Sequence, residues 1–200
     1  MDEHYAERQG VAVFIIIIFK VVSLFVCLVM VSVAWQNDYD RDIWFACPTG
    51  KSVTRIKSKH HNWFEDRLWE YSCGNRGELG KCQWFYNVNQ YDGVLLFKCP
   101  NFGRIVATKS YHNNYYEDRR FSFQCCTPKK VKATECRFTN FVNVYDGYMD
   151  YTVPNNKFLR GAYSVHKNFI EDRIWKFEIC DLDTKHNNNC KDKNKEVTHG

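Results

Sequence analysis

The sequence predicts an all-β fold: three internal repeats of about 52–54 residues in a pseudo-threefold closed β arrangement, stapled by disulfides. Three observations carry that expectation. The string Ser-x-His-x-Asn-aromatic-x-Glu-Asp-Arg-x-aromatic-x-aromatic occurs at Ser58–Tyr71, Ser110–Phe123 and Ser164–Phe177. A Tyr-Asp pair precedes each copy, with Asp40, Asp92 and Asp146 each 26 residues before Asp66, Asp118 and Asp172. The residues after each Glu-Asp alternate with a period of two, and no stretch beyond residue 34 has a convincing period of 3.6.

Taken in order, the elements follow from that alternation. Arg67, Trp69, Tyr71 and Cys73 share one side of a strand, as do Arg119/Phe121/Phe123/Cys125 and Arg173/Trp175/Phe177/Ile179. Such aromatic-rich runs suit a pleated, half-buried surface. Residues 53–57, 104–109 and 158–165 read as their hairpin partners, and 94–98 and 149–153 as further strands. Asp92-Gly93 and Asp146-Gly147 are turn signals.

The ends differ in character. Residues 11–34 are almost wholly apolar apart from Lys20. Residues 21–31 fit the apolar centre of a signal peptide, and Ser32-Val33-Ala34 its cleavage site, with an uncleaved signal anchor as the rival. Either places residues 35–200 outside the reducing cytosol. The domain organisation expected is a leader over 1–34, a β domain over 35–182, and a polar, Asn/Lys-rich flexible tail over 183–200. Beyond residue 34 there are 26 Lys+Arg against 20 Asp+Glu. That mild, spread excess favours acidic partners weakly and gives no nucleic-acid signature.

Nine of the ten cysteines lie beyond the leader. Superposing the repeats couples them. The positions of Cys47 and Cys73 are both Cys in the second copy (Cys99, Cys125) and both aliphatic in the third (Val153, Ile179). The positions of Cys82 and Cys126 are both Cys in the third copy (Cys136, Cys180) and neither is in the first (Met30, Gly74). Joint presence and joint absence imply Cys47–Cys73, Cys99–Cys125, Cys82–Cys126 and Cys136–Cys180, with Cys190 unpaired. Zinc is disfavoured, since no Cys-x-x-Cys knuckle occurs.

Three Asp-Arg-x-(Trp/Phe) strands ending toward cysteine, the doublet Cys125-Cys126 and the Cys47-Pro48 start together resemble the dermatopontin family over about residues 35–190. The Ser-x-His-x-Asn-x-x-Glu-Asp-Arg form is more similar to its invertebrate members, among them haemagglutinins and an amoebocyte aggregation factor. The resemblance implies a secreted, extracellular-matrix protein with no known enzymatic activity and no cofactor. Its partners would be matrix proteins, proteoglycans or cell-surface glycans. One family cysteine is missing where Lys129-Lys130-Val131 stand. By the resemblance it would have paired with Cys190, which is thereby left free or open to a disulfide-linked dimer.

Two readings of the motif compete. Asp66-Arg67, Asp118-Arg119 and Asp172-Arg173 suit a structural brace, each guanidinium lying over Trp69, Phe121 or Trp175 and held by a carboxylate from a neighbouring turn. The sharper reading groups His60, Asn62 and Glu65, His112, Asn114 and Glu117, and His166, Asn168 and Glu171 as three sugar pockets beside Trp63, Tyr115 and Phe169. Against it stands a plain hydrogen-bonded turn, which Ser and Asn readily form. One imidazole per repeat is too little for a zinc site. Catalysis is not expected either, because a general acid or base needs one tuned environment rather than three copies of a common one. Tyr39, between Asp38 and Asp40, has an acidic context suited to sulfation, although its match to Tyr91 and Tyr145 argues for a structural part. Arg76-Gly77-Glu78 carries Glu where an integrin tripeptide needs Asp, and no Asn-x-Ser/Thr sequon occurs.

Overall fold

Each repeat folds around one long hairpin whose alternation is visible in its burial. The computed structural model describes residues 35–130 and 134–182. The leader, the tail and Cys190 lie outside the described residues. The hairpin strands are β2 (Ser52–His61) with β3 (Asp66–Gly74), β6 (Arg104–Asn113) with β7 (Asp118–Pro128), and β10 (Lys157–Lys167) with β11 (Asp172–Asp181). Around them lie the short strands β1 (Ile43–Ala46), β5 (Leu95–Lys98) and β9 (Met149–Thr152), and the outer strands β4 (Leu79–Phe85) and β8 (Cys136–Phe138). Sequence reasoning missed β1, β4 and β8, which are too short or too irregular to show a period. Among the described residues there is no helix, hence none long and apolar enough to cross a membrane.

The strands form three separate open sheets, ordered β1-β6-β7-β4, β5-β10-β11-β8 and β3-β2-β9. These pairings do not by themselves close the pseudo-threefold arrangement expected. Each short strand leaves its own copy. β1 pairs with β6, β5 with β10, and β9 with β2, all antiparallel. A repeat therefore completes the sheet of another repeat rather than its own. Each hairpin also carries a bulge at the same place, between Val53 and Arg55, Ile105 and Ala107, and Leu159 and Gly161. At the third, a Cβ on Gly161 would stand 2.3 Å from the Phe97 carbonyl oxygen of β5, so only glycine lets that strand approach so closely.

The inward faces meet in one core. Trp69, Phe121 and Trp175, equivalent residues of the three copies, are about 98% buried. Their rings contact one another edge to face, with centroids 5.0–5.6 Å apart and interplanar angles of 73–82°. Four disulfides join Cys47 to Cys73, Cys99 to Cys125, Cys82 to Cys126 and Cys136 to Cys180. These are the pairs that the superposed repeats couple. Their loops of 26 and 44 residues correspond to about 3–4 kcal/mol each from chain entropy.

Candidate functional site

The three hairpin ends bring the repeated motif to one place. On β2, β6 and β10 the Ser and His positions point inward. Ser58, Ser110 and Ser164 are fully buried, and the side chains of His60, His112 and His166 are 0–1% exposed. The strand then ends, so Asn62, Asn114 and Asn168 fall in the turn and are exposed. Ser and His therefore share a face as their spacing suggests, and Asn does not. The next residues, Trp63, Tyr115 and Phe169, are 85%, 86% and 93% exposed.

Each turn closes with a glutamate in the left-handed region. Glu65, Glu117 and Glu171 have φ of 43°, 42° and 51°, a conformation disfavoured for a residue with a Cβ. The chain reverses there, and Asp and Arg open the returning strand buried. Each Arg forms a bidentate pair with the Asp of another copy. Arg67 bonds Asp172 at 2.6 and 2.7 Å, Arg119 bonds Asp66 at 2.6 and 2.5 Å, and Arg173 bonds Asp118 at 2.6 Å twice. The same carboxylates accept the backbone N–H of Asp40, Asp92 and Asp146 at 2.8–2.9 Å. The guanidinium groups also donate to the carbonyls of Gly147, Arg41 and Gly93. Burial alone would push the Asp66 carboxyl up. The contacts from His112 and Arg119 outweigh it and hold that carboxyl far below the usual range.

The histidines stand beside this frame, close to carboxylates of their own and of other copies. His60 Nδ1 stands 3.3 Å from Asp146 and its Nε2 3.7 Å from Glu65. His166 lies 3.4 Å from Asp92 and 3.8 Å from Glu171. His112 lies 3.2 Å from Glu117, 3.4 Å from Asp66 and 3.6 Å from Asp40. Burial lowers the His112 pKa, but the bond and charge of Asp66 prevail and raise it. Burial raises Glu65 and Glu171, reinforced by neighbouring acids and opposed by His60 and His166.

All three glutamates, the three Asp-Arg pairs, His166 and the Trp69/Phe121/Trp175 cluster line one cavity of about 20 Å³. That volume holds about one water. The copies thus converge on a shared cavity. Asp40/Asp66/His112, His60/Asp146/Asp172 and Asp92/Asp118/His166 bring possible metal-ligand atoms within 4.8 Å of one another. A cation fits them poorly, because Asp66, Asp118 and Asp172 already give both oxygens to a guanidinium.

Sequence reasoning missed Asn37, Asn89 and Asn143. Each is buried, donates to a backbone carbonyl of the Arg position and accepts the N–H of Trp69, Phe121 or Trp175 at 2.9–3.0 Å. The signal was present, since each lies three residues before Asp40, Asp92 or Asp146. Tyr39 stacks on Phe64 at 4.7 Å, as Tyr91 does on Tyr116 at 4.9 Å. That pairing assigns both tyrosines the same packing role.

The family model described as Dermatopontin matches residues 37–184. Among curated proteins, the chain is 40% identical over 154 residues to "Hemagglutinin/amebocyte aggregation factor" of Limulus polyphemus, covering 76% of this chain and 89% of that protein. It is 37% identical to "Millepora cytotoxin-1" of Millepora dichotoma, covering 72% of this chain but 65% of that protein, just under two thirds of its length. It is 35% identical to "Dermatopontin" of Biomphalaria glabrata, covering 68% and 92%. No solved structure matches the chain.

Proposed function

The chain belongs to the dermatopontin family, and on that premise we propose that it is a secreted, non-catalytic protein of the extracellular matrix. It works in cell adhesion by binding matrix proteins, proteoglycans or cell-surface glycans. One observation carries this reading. The repeated Asp and Arg side chains are paired with one another across copies, while large aromatic side chains are left outside. Polar groups held in buried bidentate pairs brace a structure, and exposed aromatic area makes contacts. In this reading Asp66-Arg67, Asp118-Arg119 and Asp172-Arg173 are the braces of a pseudo-threefold assembly of sheets. Residues 1–34 are a leader, removed or kept as an anchor, and Cys190 is free or joins a second chain. Retention of the secreted chain on decellularised matrix tests it, and passage without retention in low salt would refute it.

A second reading, a multivalent lectin, is favoured by the hairpin ends, where Asn62, Asn114 and Asn168 stand beside exposed rings. The haemagglutinin named among the relatives supports it. Because the histidines are buried, sugar contact would fall to the asparagines, the glutamates and the rings. A glycan array decides between the two. Binding of simple sugars that Glu117→Ala or Tyr115→Ala weakens supports the lectin, and salt-sensitive retention alone supports the matrix reading.

A further inference from the structure

The three copies serve as controls for one another, and on their outer faces they do not agree. On the sheet β1-β6-β7-β4, Trp44 of β1 lies opposite Lys109 of β6. The Lys109 ammonium sits 3.8 Å from the Trp44 ring centroid, 4.8 Å from that of Trp84 and 6.0 Å from that of Tyr86. Trp84 and Tyr86 stack 5.8 Å apart at 17°. Trp44 is 69% exposed, Tyr86 62% and Tyr111 44%. Arg120 and Gln124 point out from β7 on the same face, which the register fixes by pairing them with Tyr111 and Ala107.

At the equivalent positions the other two sheets carry different residues, although Lys176 of β11 also stands 4.4 Å from the Phe141 ring centroid and 6.0 Å from that of Tyr163. In β3-β2-β9 the Trp44 position is Asp150, bonded to Arg55 at 2.6 and 2.7 Å, and the Lys109 position is Lys57, bonded to Glu70 at 3.0 Å. In β5-β10-β11-β8 the Trp44 position is Leu96, the Lys109 position is Tyr163, and the Gln124 position is Glu178, paired with Lys98 and Arg160. The first sheet carries no acidic side chain on the strand residues of its outer face. Asp42 lies one residue outside β1, at the end of that face. Among the described residues no carboxylate reaches Lys109.

We infer that this outer face, whose Trp44-Lys109 pair neither other sheet repeats, is a binding site for an anionic glycan, a chain of sugar rings bearing carboxylate or sulfate groups. Sugar rings lie on Trp44 and Tyr86, whose apolar faces match the C–H faces of a pyranose. The anionic substituent meets Lys109 and Arg120, and Gln124 binds hydroxyls. A cation bracketed by aromatic rings and lacking a carboxylate partner offers charge without the cost of breaking an ion pair. The inference rests on the adhesion reading and gives it one ligand class and one face.

The test titrates the disulfide-intact secreted chain with a defined heparin octasaccharide. Lys109→Gln and Trp44→Ala are each expected to weaken binding about tenfold, the loss typical of an anchor residue. Lys109→Arg is expected to keep most of it, because a guanidinium preserves both the charge and the stacking. Lys57→Gln and Leu96→Ala, the equivalents on the other sheets, are expected to change it less than about twofold. Equal losses in those two variants, or wild-type affinity in Lys109→Gln and Trp44→Ala, would overturn the site. If the wild-type chain is retained on matrix yet ignores the octasaccharide, the inference falls and the adhesion reading stands. If it is retained on neither, both fall.

Discussion

Substituting Asp66 by Asn isolates the charge at the most connected corner of the buried frame. The carboxylate of Asp66 is 2% exposed and faces Arg119, itself 4% exposed, through two bonds of 2.5–2.6 Å. It also accepts the Asp40 N–H at 2.9 Å, which one amide oxygen can still do. The substitution therefore leaves shape and one acceptor in place and strands a buried guanidinium. Removing one partner of such a pair costs about 3–5 kcal/mol. For a domain of this size that lowers the melting temperature by about 6–20 °C. Adding Arg119→Met removes the stranded charge and should restore more than half of the loss. Thermal unfolding of the two single variants and the double variant gives the coupling energy directly. A value within about 0.5 kcal/mol of zero for Asp66 with Arg119 would refute the cross-copy pairing.

Further outcomes follow from single features. Asp66 is held below its ordinary value of 3.8, so its stabilisation is complete above that pH and is lost as pH falls further, giving an acid limb that Asp66→Asn flattens. His112 is held above 6.5, so its contribution is complete below that pH and fades as pH rises through the higher folded value. Glu65 and Glu171, raised above 4.5, act in the opposite sense to Asp66, and melting curves across pH should show the net slope. Gly161→Ala should destabilise by about 1–3 kcal/mol in denaturant titration, since its Cβ would meet the Phe97 carbonyl oxygen at 2.3 Å, and an unchanged midpoint would contradict the close approach of β5. Trp63→Ala, at an 85% exposed position, should leave the melting temperature unchanged while reducing adhesion or agglutination, and a large fall in stability would show the ring to be structural.

How far the sequence could be read turns on what a repeat can and cannot encode. Equal spacing made the unit visible. The joint gain and loss of Cys82 and Cys126 against Met30 and Gly74 pointed to disulfide partners, because the copies differ there. Alternation placed β2, β3, β6, β7, β10 and β11, whose long strands bury one face. The Asp-Arg pairs gave no such contrast. All three copies have the same two residues, so Arg119 reads equally well against Asp66, Asp118 or Asp172, and only the fold selects Asp66. The same degeneracy hid the transfer of β1, β5 and β9 onto hairpins of other copies, since four-residue strands carry too few side chains to specify a partner. It also left the site's geometry open. Identical His/Asn/Glu sets suggest three pockets, and only the fold shows the histidines turned inward and the three glutamates lining one cavity. Identity between copies thus marks what holds the frame together, and a surface that selects one ligand is to be sought where the copies part, at Trp44, Lys109 and Gln124.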